Sequence, residues 1–188
     1  MKKLITVLSV FGLMMVSLLV SPTPALAEEV TCIGTKGAVT VDNLRVPKYK
    51  SCTLNGTKVK GTIKVEKGAT LTAYGINVIG NIQAEGANNV RVLAKSKIGG
   101  SIQIVQGKRA NIHSATVNGD IQYESNNMPL RATQNKVGGN LQAFQNTGGV
   151  YIANNVIDGN LQCKENNPRP TGSGNIVEGS KEDQCKNL

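Results

Sequence analysis

A four-residue word recurs along this chain: Gly, a small polar residue, Ile or Leu, then Gln. It stands at Gly80-Asn81-Ile82-Gln83, Gly100-Ser101-Ile102-Gln103, Gly119-Asp120-Ile121-Gln122, Gly139-Asn140-Leu141-Gln142 and Gly159-Asn160-Leu161-Gln162. A diverged copy, Gly61-Thr62-Ile63-Lys64, precedes them, and a decayed one, Gly179-Ser180-Lys181-Glu182, follows. The glycines step by 19, 20, 19, 20, 20 and 20 residues. A fixed period of this size restricts the chain to a stacked solenoid, because each repeat buries its apolar side only against its neighbours.

The pattern inside the period selects the kind of solenoid. Apolar residues alternate with polar ones, as in Ile102-Gln103-Ile104, which is the period of a strand. A second alternation follows about nine residues later, as in Val90-Arg91-Val92 and Val150-Tyr151-Ile152. Turn-forming Gly, Asn, Ser and Lys lie between. No stretch has a helical period, and the Leu-x-x-Leu-x-Leu framework of leucine-rich repeats is missing. The expected fold is all-β: a single-stranded right-handed parallel β-helix of about six to seven coils, each with two or three short strands, stacked about 4.8 Å apart.

Three interior columns are expected. One holds Ile63, Ile82, Ile102, Ile121, Leu141 and Leu161; a second holds Val65, Ala84, Ile104, Tyr123, Ala143 and Cys163. A third is read as Leu71, Val92, Ile112, Ala132 and Ile152. Outside, Gln83, Gln103, Gln122, Gln142 and Gln162 form one structural ladder, and Asn135, Asn155 and Asn175 are placed in another outside the core. Amides stacked at strand spacing hydrogen-bond along such columns.

The two ends differ from the repeats. Lys2 and Lys3, the apolar run Leu4 to Val20 and the ending Ala25-Leu26-Ala27 read as an export signal over residues 1–27. Cleavage there leaves 161 residues with 19 basic and 12 acidic side chains, and no other apolar run of spanning length. Residues 28–58 read as an N-terminal capping coil, 59–178 as the repeats and 179–188 as a C-terminal cap. The four cysteines stand in pairs, Cys32 with Cys52 and Cys163 with Cys185, each about one coil apart. Bridges within each pair would staple the end coils to the stack, with other pairings open from sequence alone. With one His, His113, and dispersed cysteines, no metal site and no cofactor are expected. His113 is read as an exposed residue at a turn.

Two surface features point to function. The second strand presents Thr70, Arg91, Asn111, Arg131 and Tyr151 as one outward column, in which Arg and Tyr suit an acidic polymer. Lysines concentrate early in the chain, Lys58 and Lys60 among them, and join Arg91, Arg131 and Tyr151 as the expected ligand-binding residues. The weaker catalytic candidates are Glu66 and Glu85, one coil apart, at a spacing that suits a pair of glycosidase carboxylates or two oxygen ligands of a calcium ion, for which too few other ligands are in view.

The repeats resemble those of the right-handed parallel β-helix proteins of the pectin-lyase-like group. The ending from Gly159 to Pro168, with Lys181-Glu182-Asp183-Gln184-Cys185, is similar to that of a set of small secreted bacterial proteins of unassigned function. So is the stretch from Val41 to Pro47 and on to Cys52-Thr53-Leu54-Asn55-Gly56. The resemblance implies the fold and an export route. The lyases of the wider group use an Asp cluster for calcium, whereas Asp42, Asp120, Asp158 and Asp183 are scattered here. The repeats are also similar to those of bactofilins, which lack a signal peptide and disulfides. Ice-binding β-helices carry Thr-x-Thr arrays where this chain has Gln, Glu and Lys. The expected function is a secreted, non-catalytic binding or structural module at the bacterial cell envelope, for an acidic polysaccharide or wall polymer and no specific nucleic acid. The alternatives are a polysaccharide lyase or glycoside hydrolase, and a protein-binding adhesion or matrix rod.

Overall fold

The chain winds into a parallel β-helix whose coils each contribute one strand to each of three sheets. A computed structural model describes residues 28–93 and 95–188; the export segment expected at 1–27 lies outside them. A typical coil is Ile82–Glu85 in sheet A, Asn89–Leu93 in sheet B and Lys97–Ile98 in sheet C. Among the described residues sheet A has nine strands, sheet B seven and sheet C eight. Seven coils are therefore complete. In the eighth, the sheet B strand shrinks to a single bridge between Tyr151 and Thr171. Three strands per coil is the upper of the two numbers expected.

Each position of the recurring word has a structural task. The Gly permits close coil-to-coil approach: its N–H donates to the Gly one coil earlier, as from Gly159 to the Gly139 carbonyl at 3.0 Å. A Cβ on Gly159 would stand 2.7 Å from both that carbonyl and Asn140 Oδ1, closer than any side chain tolerates. The small polar residue closes the turn. Asn140 Oδ1 accepts the Asn160 N–H at 2.8 Å, and Asn160 Oδ1 accepts the Ser180 N–H at 2.9 Å. The Ile or Leu fills the core: Ile63, Ile82, Ile102, Ile121, Leu141 and Leu161 pair in register and are all fully buried. Each such side chain contributes about 1.5–3 kcal/mol of transfer free energy.

The second column also runs in register, from Val65 through Tyr123 to Cys163. Tyr123 is the largest fully buried side chain. Its hydroxyl donates to the Arg131 carbonyl at 2.7 Å, and burial pushes its phenol well above the ordinary tyrosine range. The third column needs a correction. Ala73, not Leu71, pairs with Val92, while Leu71 pairs with Val90 one rung over. A two-residue slip keeps the inward face, so alternation alone cannot detect it.

The Asn column needs a larger correction. Asn135, Asn155 and Asn175 are inside, at 2%, 0% and 6% exposure. Asn126, Asn146 and Asn166 form a second buried ladder, which the sequence reading missed. Each residue sits just after a left-handed backbone position, such as Gln134 or Gln145, that turns the amide inward. Asn146 Oδ1 accepts both the N–H and the Nδ2–H of Asn126 at 3.0 Å. Its own Nδ2 donates to the Tyr123 carbonyl at 3.0 Å and to Asn166 Oδ1 at 2.9 Å. Burial costs these amides little because the stack itself satisfies them.

Disulfides join Cys32 to Cys52 and Cys163 to Cys185, all buried, with Cα atoms 5.6 and 5.2 Å apart. They tie the first coil to the second and the final strand, Lys181–Asp183, to the coil before it. Loops of 20 and 22 residues give about 3 kcal/mol each in the chain-entropy description. Replacing either pair by Ser is expected to lower the unfolding free energy by about that amount, read from urea denaturation at constant slope. An unchanged midpoint would show that the ends are held by packing alone.

Candidate polyanion-binding face

Sheet B turns Thr72, Arg91, Asn111, Arg131 and Tyr151 outward in one register row. Thr72 takes the place expected for Thr70. Thr70 pairs instead with Asn89, which pairs with Arg109, in the next outward row. Arg109 is not among the expected site residues; its 20-residue spacing from Asn89 is the signal the sequence offers for it. Arg91 and Arg131 are two coils apart, about 9.6 Å at strand spacing, and Arg109 stands on the coil between, about 7 Å to the side. Arg109 and Arg131 are exposed and Arg91 is half-buried.

The face carries positive charge without compensation. All twelve Asp and Glu residues lie off the strands of sheet B. Five of them, Glu29, Glu85, Glu124, Glu182 and Asp183, lie on strands of sheet A. Among the described residues, ion pairs join Arg45 to Glu29 and Glu66, Lys60 to Asp42 and Lys164 to Glu165, and none reaches Arg91, Arg109 or Arg131. The Arg131 guanidinium lies over the Tyr151 ring, 5.3 Å from its centroid. That stacking holds one arginine in place and leaves a partly exposed ring beside it.

The other expected ligand-binding residues are not on this face. Lys58 is on sheet C, in the row that continues to Asn77, and is exposed. Lys60 follows that strand and is 2.9 Å from the Asp42 carboxylate. The structure thus brings Arg91, Arg131 and Tyr151 together and sets the two lysines apart from them.

Glu66 and Glu85 line an open groove of about 850 Å³ over sheet A, with Lys64, Lys67, Gln83 and Gln103. Glu66 is held by the preceding coil: its Oε2 accepts the Lys48 N–H at 3.0 Å, and its Oε1 is 3.6 Å from Arg45 Nη1. The Gln row is in register along sheet A, but its side chains differ in partner. Gln142 donates to Gln162 and Gln162 to Glu182, each at 2.8 Å, whereas Gln122 turns to Glu124 in its own strand. His113 ends the strand Arg109–His113, half-buried, with Nδ1 2.9 Å from Thr133 Oγ1, instead of standing exposed at a turn.

No group of three or more His, Cys, Asp or Glu able to hold a metal occurs among the described residues. No helix among them is long and apolar enough to cross a membrane. The two disulfides fit an oxidising compartment. Comparison with protein-family models, with curated proteins and with solved structures gives no match.

Proposed function

We propose that this protein is a secreted, non-catalytic β-helix of the bacterial cell envelope that holds an anionic polymer against sheet B. The observation that carries the proposal is a sheet with three outward arginines and no carboxylate on its strands. Arginine offers a planar fork of donors that matches carboxylate, sulfate or phosphate groups. A rigid sheet lets several such contacts form without ordering a loop, which lowers the entropic cost of binding. The export segment and the disulfides support a location outside the cytoplasm. The hold of Arg45 and Lys48 on Glu66 supports a structural part for that carboxylate over a catalytic one. A place beside the pectin-lyase-like β-helices belongs to the same proposal and rests on the repeat pattern.

The test is co-sedimentation with cell-wall fractions and with insoluble acidic polysaccharide, while released sugar is assayed in the supernatant. The expected result is pelleting that weakens as salt screens the contacts, with no sugar released. Release of sugar, or pelleting indifferent to salt, would overturn the proposal.

A further inference from the structure

Within single register rows, outward cations alternate with neutral hydrogen-bonding side chains from one coil to the next. On sheet B one row runs Arg91, Asn111, Arg131, while Arg109, on the strand of Asn111, stands one row to the side. On sheet C the register row runs Lys58, Asn77, Lys97, Thr116, Lys136. In this row the lysines, Asn77 and Thr116 are all exposed, and it contains no carboxylate. Two rows on two sheets therefore repeat the same alternation of charged and uncharged positions. Where they overlap they are in phase, since Arg91 and Lys97 share one coil and Arg131 and Lys136 another.

Coil spacing turns this alternation into a ruler. Coils rise by about 4.8 Å, close to the length of one pyranose unit in an extended chain. A polysaccharide lying lengthwise on the rod then places about one sugar on each coil. A cation at every second position of a row matches an anionic group on every second sugar of a chain lying along that row. Asn111 on sheet B, and Asn77 and Thr116 on sheet C, face the sugars between, where their amide and hydroxyl groups suit sugar hydroxyls and N-acetyl groups. Tyr151 follows Arg131 in the row and offers a ring for a sugar to lie against.

Resting on the polyanion reading above, we infer that the ligand is an acidic polysaccharide in which charged and neutral sugars alternate, bound parallel to the long axis. The experiment exchanges two residues in one row, Asn111→Arg with Arg131→Asn. The exchange keeps composition and net charge but puts the row's two arginines on adjacent coils. Both proteins are titrated with hyaluronan oligosaccharides, which carry a carboxylate on every second sugar, and with polygalacturonate oligosaccharides, which carry one on every sugar. Unchanged melting temperatures check the fold.

The expected result is about fivefold weaker hyaluronan binding for the exchanged protein, the loss of one exposed ion pair. Polygalacturonate binding holds within about twofold, because a carboxylate meets an arginine on any coil. Equal effects on both ligands, or none on either, would overturn the alternation while leaving the polyanion face in place. Failure of the unaltered protein to bind either ligand would overturn the polyanion reading itself.

Discussion

Replacing Asn146 with Leu is expected to destabilise the protein by about 4 kcal/mol. The side chain is fully buried and sits in the middle rung of its ladder. Its loss leaves the Asn126 N–H and one Nδ2–H of Asn126 without their acceptor, in a place water does not reach. Each such orphaned donor costs about 1–3 kcal/mol, which packing of the Leu methyls does not recover. The same change at Asn135 is expected to cost about 2 kcal/mol, since Asn135 Oδ1 accepts only the Ala115 N–H. Urea denaturation of the two variants measures the difference. Equal costs would mean that the rungs act through volume and not through their bonds.

Removing the Tyr123 ring is expected to have an effect of similar size. Tyr123→Ala empties a fully buried site between Ile104 and Ala143 and should cost about 4 kcal/mol. Tyr123→Phe keeps the ring, leaves the Arg131 carbonyl without its donor and should cost about 1–2 kcal/mol. The phenol also sets a pH dependence. Its ionisation is raised in the fold, so its stabilisation is complete below the ordinary tyrosine value near 10 and declines as pH rises above it. The decline approaches about 1.4 kcal/mol per pH unit from this one group, and Tyr123→Phe should remove that part of the slope. Stability curves of both proteins from about pH 9 to 10.5 make the comparison. Parallel curves would show that the phenol ionises as easily in the fold as in the unfolded chain.

The fold was legible because a solenoid writes its period directly into the sequence. The glycine steps located every coil, and strand alternation separated core from surface for Ile102-Gln103-Ile104 and its relatives. The observed disulfides agree with the pairing that the same ruler favoured, since each Cys stands about one coil from its partner. What alternation could not supply was the rung. Leu71 for Ala73 and Thr70 for Thr72 are both two-residue slips, which keep the face and change the neighbour. Asn135, Asn155 and Asn175 were placed outside because an amide is ordinarily costly to bury, and only the stacking of identical side chains removes that cost.

The candidate face was legible in part. Arg91, Arg131 and Tyr151 fall into one row by their spacing of 20. Arg109 was missed because it lies one row over, and Lys58 and Lys60 were assigned by proximity in sequence although the chain turns a corner before them. The lack of carboxylates on sheet B appears only when all strands are assigned to sheets, because acidic residues are spread along the chain and sorted by face in space.

Two charge-matched variants test most directly whether that face holds the ligand. One carries Arg91→Gln, Arg109→Gln and Arg131→Gln on sheet B; the other carries Lys64→Gln, Lys164→Gln and Lys181→Gln on sheet A. Affinity for a soluble acidic polysaccharide is measured for both at low salt. The account predicts a loss of about a hundredfold for the sheet B variant, three contacts of about 1 kcal/mol each, and less than about threefold for the other. Equal losses would contradict it, because binding would then follow net charge and not the face.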